Sequence, residues 1–125
     1  MTGHATAGTR DLPRAAHFYE ALPGPLGATE MCRSPTGVGP GVARDQFMLA
    51  AMLPFDGQPA TADNGTTMGL MVTTTAQVDE VYHRAIALGA RAEGSAGPSG
   101  LRGHGFYAGC FRNLDGNKLN VICHA

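Results

Sequence analysis

Apolar positions along the chain recur at recognisable intervals, in short stretches separated by segments rich in glycine and proline. Residues 4–9 suit a short strand. From Leu12 the apolar residues Leu12, Ala15, Ala16, Tyr19 and Leu22 fall at helical spacing. Asp11 stands before them as a capping side chain, with Pro13 in the first turn, where a missing amide hydrogen costs nothing. Pro23-Gly24-Pro25 ends that helix. Thr29 to Arg33 is predicted as a strand, and residues 34–45 as a loop on their glycine and proline content. Phe47 to Leu53 is a continuous apolar run of strand length, and residues 54–66 form a connector.

The same grammar then returns. Met68 to Thr73 is predicted as a strand, and Thr75 as the cap of a helix from Ala76 to Leu88. Val78, Val81, Tyr82, Ala85 and Leu88 share one face of that helix, and Gly89 stops it. Residues 94–105 suit a second loop. Phe106–Arg112 and Lys118–Cys123 suit strands, joined through Asn113-Leu114-Asp115-Gly116-Asn117, whose Asp-Gly pair is a strong hairpin signal. Each half therefore runs strand, helix, then about three strands. Leu26-Gly27-Ala28, Tyr19 and His4 are matched 62–64 residues later by Leu88-Gly89-Ala90, Tyr82 and Met68. This internal repeat predicts one domain over residues 1–125, made of a module at 1–57, a connector at 58–65 and a second module at 66–125.

Composition narrows the function classes. The 125 residues are 43% apolar, which fits a globular core, and the net charge of -1 excludes an electrostatically driven nucleic-acid binder. No apolar run approaches the ~20 residues of a membrane span. Residues 1–8 lack the basic and apolar regions of a secretion signal, so a cytoplasmic location is expected. Cys32, Cys110 and Cys123 form no CxxC pair, which excludes a zinc knuckle or a thioredoxin-type motif and leaves free thiols as the expectation.

The run from His4 through Asp11-Leu12-Pro13 to Phe18-Tyr19 resembles the opening of the vicinal oxygen chelate superfamily, which includes glyoxalase I, bleomycin-resistance proteins and extradiol dioxygenases. Phe111-Arg112-Asn113-Leu114-Asp115-Gly116-Asn117-Lys118-Leu119 is similar to that family's late hairpin, and Ala76 to Gly89 to its second helix. The resemblance implies an α+β fold, two βαβββ modules wrapped into a cup-shaped mixed sheet around a ligand groove. It also implies a homodimer.

The resemblance further implies positions for a divalent ion, held by four inward-facing side chains. Matched residue by residue, these are His4, Leu49, Met68 and Asn120. Only His4 is a good donor. Leu49 cannot ligate, the Met68 thioether suits copper(I) better than zinc, nickel or iron, and Asn120 offers a weak neutral oxygen. No metal ligand set and no cofactor are therefore expected. The expected function is binding of a small organic molecule in the groove, the mode that bleomycin-resistance proteins imply. Apolar lining would come from Met48, Leu49, Met68, Leu70 and Met71. Polar handles would come from Arg102, His104, Tyr107 and Asn120. His4 and His104 are the candidates for acid/base catalysis. Asp11 and Asp115 are better explained as a helix cap and a turn residue, and His17, His83 and His124 as surface residues. Two alternatives stay open. One is a glyoxalase-like lyase or isomerase, or a dioxygenase-type metalloenzyme, using His4 and a non-standard ligand set. The other is a module that holds another protein.

Overall fold

The computed structural model describes residues 4–22, 30–41, 48–99 and 105–124. The first half contains β1 (His4–Gly8), α1 (Leu12–Ala21), β2 (Glu30–Arg33), β3 (Gly37–Gly41) and β4 (Met48–Met52). The second contains β5 (Met68–Met71), α2 (Thr75–Ala87), β6 (Arg91–Ser99), β7 (Phe106–Arg112) and β8 (Lys118–His124). The strands form two four-stranded sheets of identical order, β1-β4-β3-β2 and β5-β8-β7-β6. In each, the first and last strands of the half pair in parallel, and the remaining pairs are antiparallel. Each helix lies on one face of its own sheet. The repeat seen in the sequence is thus a repeat of topology.

Local chemistry explains the helix starts. The Asp11 carboxylate accepts from the Arg14 amide at 3.0 Å. The second cap is Thr74, one residue before the predicted Thr75. The Thr74 hydroxyl accepts from the Gln77 amide, and the Gln77 side chain accepts from the Thr74 amide in return, a capping box. Gly89 ends α2 at φ +103°, a conformation that side chains disfavour.

Two predicted loops are partly strand. Gly37–Gly41 is β3, and β6 runs through Ser99. Glycine and proline argue against strands in isolation, yet sheet partners on both sides of β3 supply the ladder that overrides propensity. β3 also needs glycine: a Cβ on Gly39 would lie 2.7 Å from the Leu49 carbonyl oxygen. The β6–β7 register shifts on either side of Gly94, so glycine there marks irregular pairing.

One core joins the halves, with Phe18, Tyr19, Leu22 and Leu49 in the same cluster as Val78, Phe111, Leu119 and Val121. Polar contacts lock the pairing within one chain. The Asn113 amide donates to the buried Tyr19 hydroxyl at 2.9 Å, and Asn117 Nδ2 donates to the Gly8 carbonyl at 2.9 Å. Asp115 accepts from the Arg10 amide at 3.0 Å and the Arg14 guanidinium at 3.1 Å. The β7–β8 turn therefore grips the start of the first half.

Candidate functional site

Alternation along each strand sorts side chains between the helix-covered face and the open face. On β8, Leu119, Val121 and Cys123 are buried, so Lys118, Asn120 and Ile122 take the open face. Cross-strand partners share a face, so Gly69, paired with Asn120, is open and Met68, paired with Leu119, is not. In the first half, Leu49 and Ala51 are buried, leaving Ala50 and Met52 on the open side with Thr6, Gly37 and Gly39.

This sorting separates the sequence candidates. Leu49 is 5% exposed and belongs to the core, so it lines no groove on the open face. Met68 packs against the core, and its predicted place on the open face falls to Gly69. Both shifts come from a one-residue error in strand parity, which moves a side chain to the other face. Leu70 follows Met68 toward the core, whereas Met71 is exposed. Tyr107 also turns away from the open face: its hydroxyl donates to Asp79 of α2 at 2.7 Å. That hydrogen bond, with desolvation and the carboxylate charge adding, raises the phenol above its ordinary range. Asn120 does lie on the open face, between Gly69 and Cys110. Arg102 and His104 lie outside the described residues. His4 pairs with Met48 through its backbone, and its side chain and that of Met48 lie outside the description.

The residues present do not fit the divalent ion that the resemblance implies. Open-face positions of β4, β5 and β8 hold Ala50, Gly69 and Asn120. The Asn120 Oδ1, the atom that would ligate, is buried without a hydrogen-bond partner, pressed over Gly69 where a Cβ would lie 3.0 Å away. In this arrangement the oxygen is not presented to the open face, and neither Ala50 nor Gly69 brings a donor beside it. Among the described residues no group of three His, Cys, Asp or Glu side chains could hold a metal.

What the open face offers instead is a trough of about 180 Å³ on the first sheet. Gly37, Gly39, Ala50 and Met52 line it, with Arg33 and Ser34 beside them. Its floor is flat because β3 contributes no side chain at Gly37 or Gly39. Met52 fills the space over Gly37. Arg33 pairs across the strands with the buried Val38, so its side chain takes the helix side, where the exposed guanidinium lies 3.5 Å from Glu20 of α1. On the second sheet the open face is occupied. Arg112 is fixed by Glu93 at 2.8 Å and by the Gly116 carbonyl at 2.8 Å. The Arg112 hydrogen bond, with that of Arg91, holds the Glu93 carboxyl below its ordinary range.

Sequence reasoning missed Asn113 and Asp115 as joining residues, since their turn role already explained them. It also missed Gly69. The signal for Gly69 was available: Leu119, Val121 and Cys123 alternate as buried residues, and parity then places Asn120 on the open face.

Comparison with known proteins agrees with this geometry. The chain aligns, at 28% identity, with a glyoxalase/bleomycin resistance protein from Albidiferax ferrireducens T118, covering 98% of this chain and 97% of that one with a TM-score of 0.87. It shares its fold with a glyoxalase/bleomycin resistance protein/dioxygenase family enzyme from Burkholderia phytofirmans PsJN (16% identity, 98% and 97% covered, TM-score 0.73). It also shares it with the fosfomycin resistance protein FosX from Mesorhizobium loti (15% identity, 98% and 91% covered, TM-score 0.67). No curated protein matches the chain. No described helix is long and apolar enough to cross a membrane. The model of the Glyoxalase/Bleomycin resistance protein/Dioxygenase superfamily matches residues 2–121, and the chain belongs to that superfamily.

Proposed function

We propose that this protein binds a small organic molecule on its open face and does so without the divalent ion of its metalloenzyme relatives. The observation that carries the proposal is the open-face row at Ala50, Gly69 and Asn120: a methyl, a hydrogen and an amide whose oxygen is buried. The trough over Gly37, Gly39 and Ala50 suits a flat apolar group. As the family resemblance implies, the protein works as a homodimer.

Two measurements test this. Mass spectrometry of the purified protein, before and after loading with zinc, nickel, manganese and iron, is expected to find no stoichiometric metal and no rise in melting temperature. A bound ion that raises the melting point, as binding to the native state must, overturns the metal-free reading. An aromatic sulfonate dye, anilinonaphthalene sulfonate, serves as the ligand probe. Ala50→Trp fills the trough and is expected to abolish dye binding while the far-ultraviolet circular dichroism stays unchanged. Undiminished dye binding in that variant places the ligand elsewhere.

A further inference from the structure

A second cavity, of about 200 Å³, lies where the two halves and the connector meet, and it shares no lining residue with the trough. β1 brings Thr6, the connector brings Thr61, Asp63 and Thr66, and the turn into β8 brings Asn117 and Lys118. It is smaller than the roughly 300–1,000 Å³ of a drug-sized site. Its walls are about as apolar as polar, with Ala7, Gly8 and Met68 beside the hydroxyl, amide and charged side chains.

The cation in this cavity is unusual for this protein. Arg14, Arg33, Arg84, Arg91 and Arg112 each lie against a carboxylate, and Arg10 donates to the Ala60 carbonyl at 2.6 Å. Lys118 is half-buried and, alone among the described Lys and Arg side chains, has no such partner. An anion bound in the cavity would give this ammonium the charge-assisted partner that the other described cations already have. The carboxylate that shares the cavity is already engaged. Asp63 accepts from the Asn64 amide at 2.8 Å and from the Thr66 hydroxyl at 2.7 Å. The Thr66 oxygen keeps its lone pairs for a ligand donor. The hydroxyls of Thr6 and Thr61 make no hydrogen bond with any described residue. Asn117 Nδ2 is spent on the Gly8 carbonyl, which ties the β8 side of the cavity to β1.

We propose that this junction cavity is a binding site for a small hydroxylated organic anion. Its carboxylate or phosphate sits on the Lys118 ammonium, and its hydroxyls meet Thr6, Thr61 and Thr66. The site adds a second ligand class to the protein and does not depend on the metal-free reading of the open face.

Lys118 is the chain's one lysine, so protein labelled with 13C-lysine gives a single lysine side-chain spectrum. D-gluconate is expected to shift those signals saturably, and uncharged sorbitol to leave them unmoved. Inorganic phosphate is expected to shift them with lower affinity than gluconate. By calorimetry, Lys118→Gln is expected to weaken gluconate at least about tenfold, the loss of one charge-assisted hydrogen bond. Thr61→Val, which leaves the charge in place, is expected to weaken gluconate and leave phosphate unchanged. No lysine shift at about 50 mM gluconate, well above a millimolar dissociation constant, overturns the site. Equal affinity for gluconate and phosphate, with Thr61→Val weakening neither, overturns the hydroxylated class. Both outcomes leave the dye and metal results untouched, so the two proposals fail separately.

Discussion

Among the described residues of the first half, the largest fully buried side chains come from the helix and its C-terminal end. Phe18 and Tyr19 of α1, with Leu22 just past its end, face Ala7, Val38, Leu49 and Ala51 of the strands. In the second half the strands carry more of the bulk. Phe111, Leu119 and Val121 face Val78, Val81 and Ala85 of α2. Two layers in close contact must be filled to uniform density, and either layer can supply the volume. The duplicated topology thus constrains the sum of the two layers and leaves their division free. The open faces differ as well. The first sheet shows Gly37, Gly39 and Ala50, where a trough lies, while the second shows Cys110, Arg112, Lys118, Asn120 and Ile122. Among the described residues, the flat part of the open face belongs to the first sheet.

The sharpest way to break this comparison is to remove bulk from the layer that carries it. Phe18→Ala and Phe111→Ala, at 1% and 0% exposure, are each expected to cost about 3–5 kcal/mol in urea unfolding, one in the helix layer and one in the strand layer. A cost under about 1 kcal/mol for Phe111→Ala means that the strands of the second half do not carry its core.

The two halves also meet through a titratable group. Burial pushes the Tyr19 phenol up to about 12, with the Asp115 carboxylate adding and the Asn113 hydrogen bond partly offsetting. The folded protein therefore holds this proton in a range where the unfolded chain, near 10, has released it. Stability from this source is complete below pH 10 and is lost as pH rises through about 12. The loss is about 2–3 kcal/mol at ~1.4 kcal/mol per tenfold. Tyr19→Phe is expected to be spared it, so its unfolding free energy should approach or pass that of the parent between pH 10 and 12. Tyr107 and every other titrating group are common to both proteins. Parallel pH profiles for the two proteins count against a buried, protonated Tyr19 at the joint.

Much of this was legible in the sequence. Helix α1 with its Asp11 cap, the Gly89 stop and the Asp115-Gly116 turn are local signals, and the 62–64-residue repeat fixed the order of elements. β3 was hidden because its evidence is non-local: Gly37-Val38-Gly39-Pro40-Gly41 forms a strand only through partners on both sides. The site was less legible for a related reason. Leu49 and Met68 were placed in the correct strands on the wrong face. A continuous apolar run such as Phe47 to Leu53 carries no parity signal, so nothing local distinguishes Leu49 from Ala50. Asn120, matched through the family's hairpin, lies on the open face, where a polar residue interrupts an apolar strand.

The smallest effect tests the bulk rule at its exception. Tyr82 is a large buried residue on α2, in the half where strands supply more of the volume, and its position matches Tyr19 in the repeat. The strand beneath it compensates with Gly109. A Cβ there would lie 2.9 Å from Tyr82 Cδ2, 3.0 Å from Cγ and 3.1 Å from Cβ. Neither partner has room to retreat, since the Tyr82 ring is buried and Gly109 is held in register with Val121. Gly109→Ala is expected to destabilise by about 1–3 kcal/mol, as overpacking does, against the modest gain that alanine brings to a strand. Tyr82→Leu in the same chain should return part of that loss, giving a coupling of about 1 kcal/mol in a double-mutant cycle. Gly97→Ala on β6, where a Cβ would meet nothing within 4 Å, is the matched control and should be neutral or slightly stabilising. If Gly109→Ala behaves like Gly97→Ala, Tyr82 is not seated on the strand, and volume is not being traded between layers at this position.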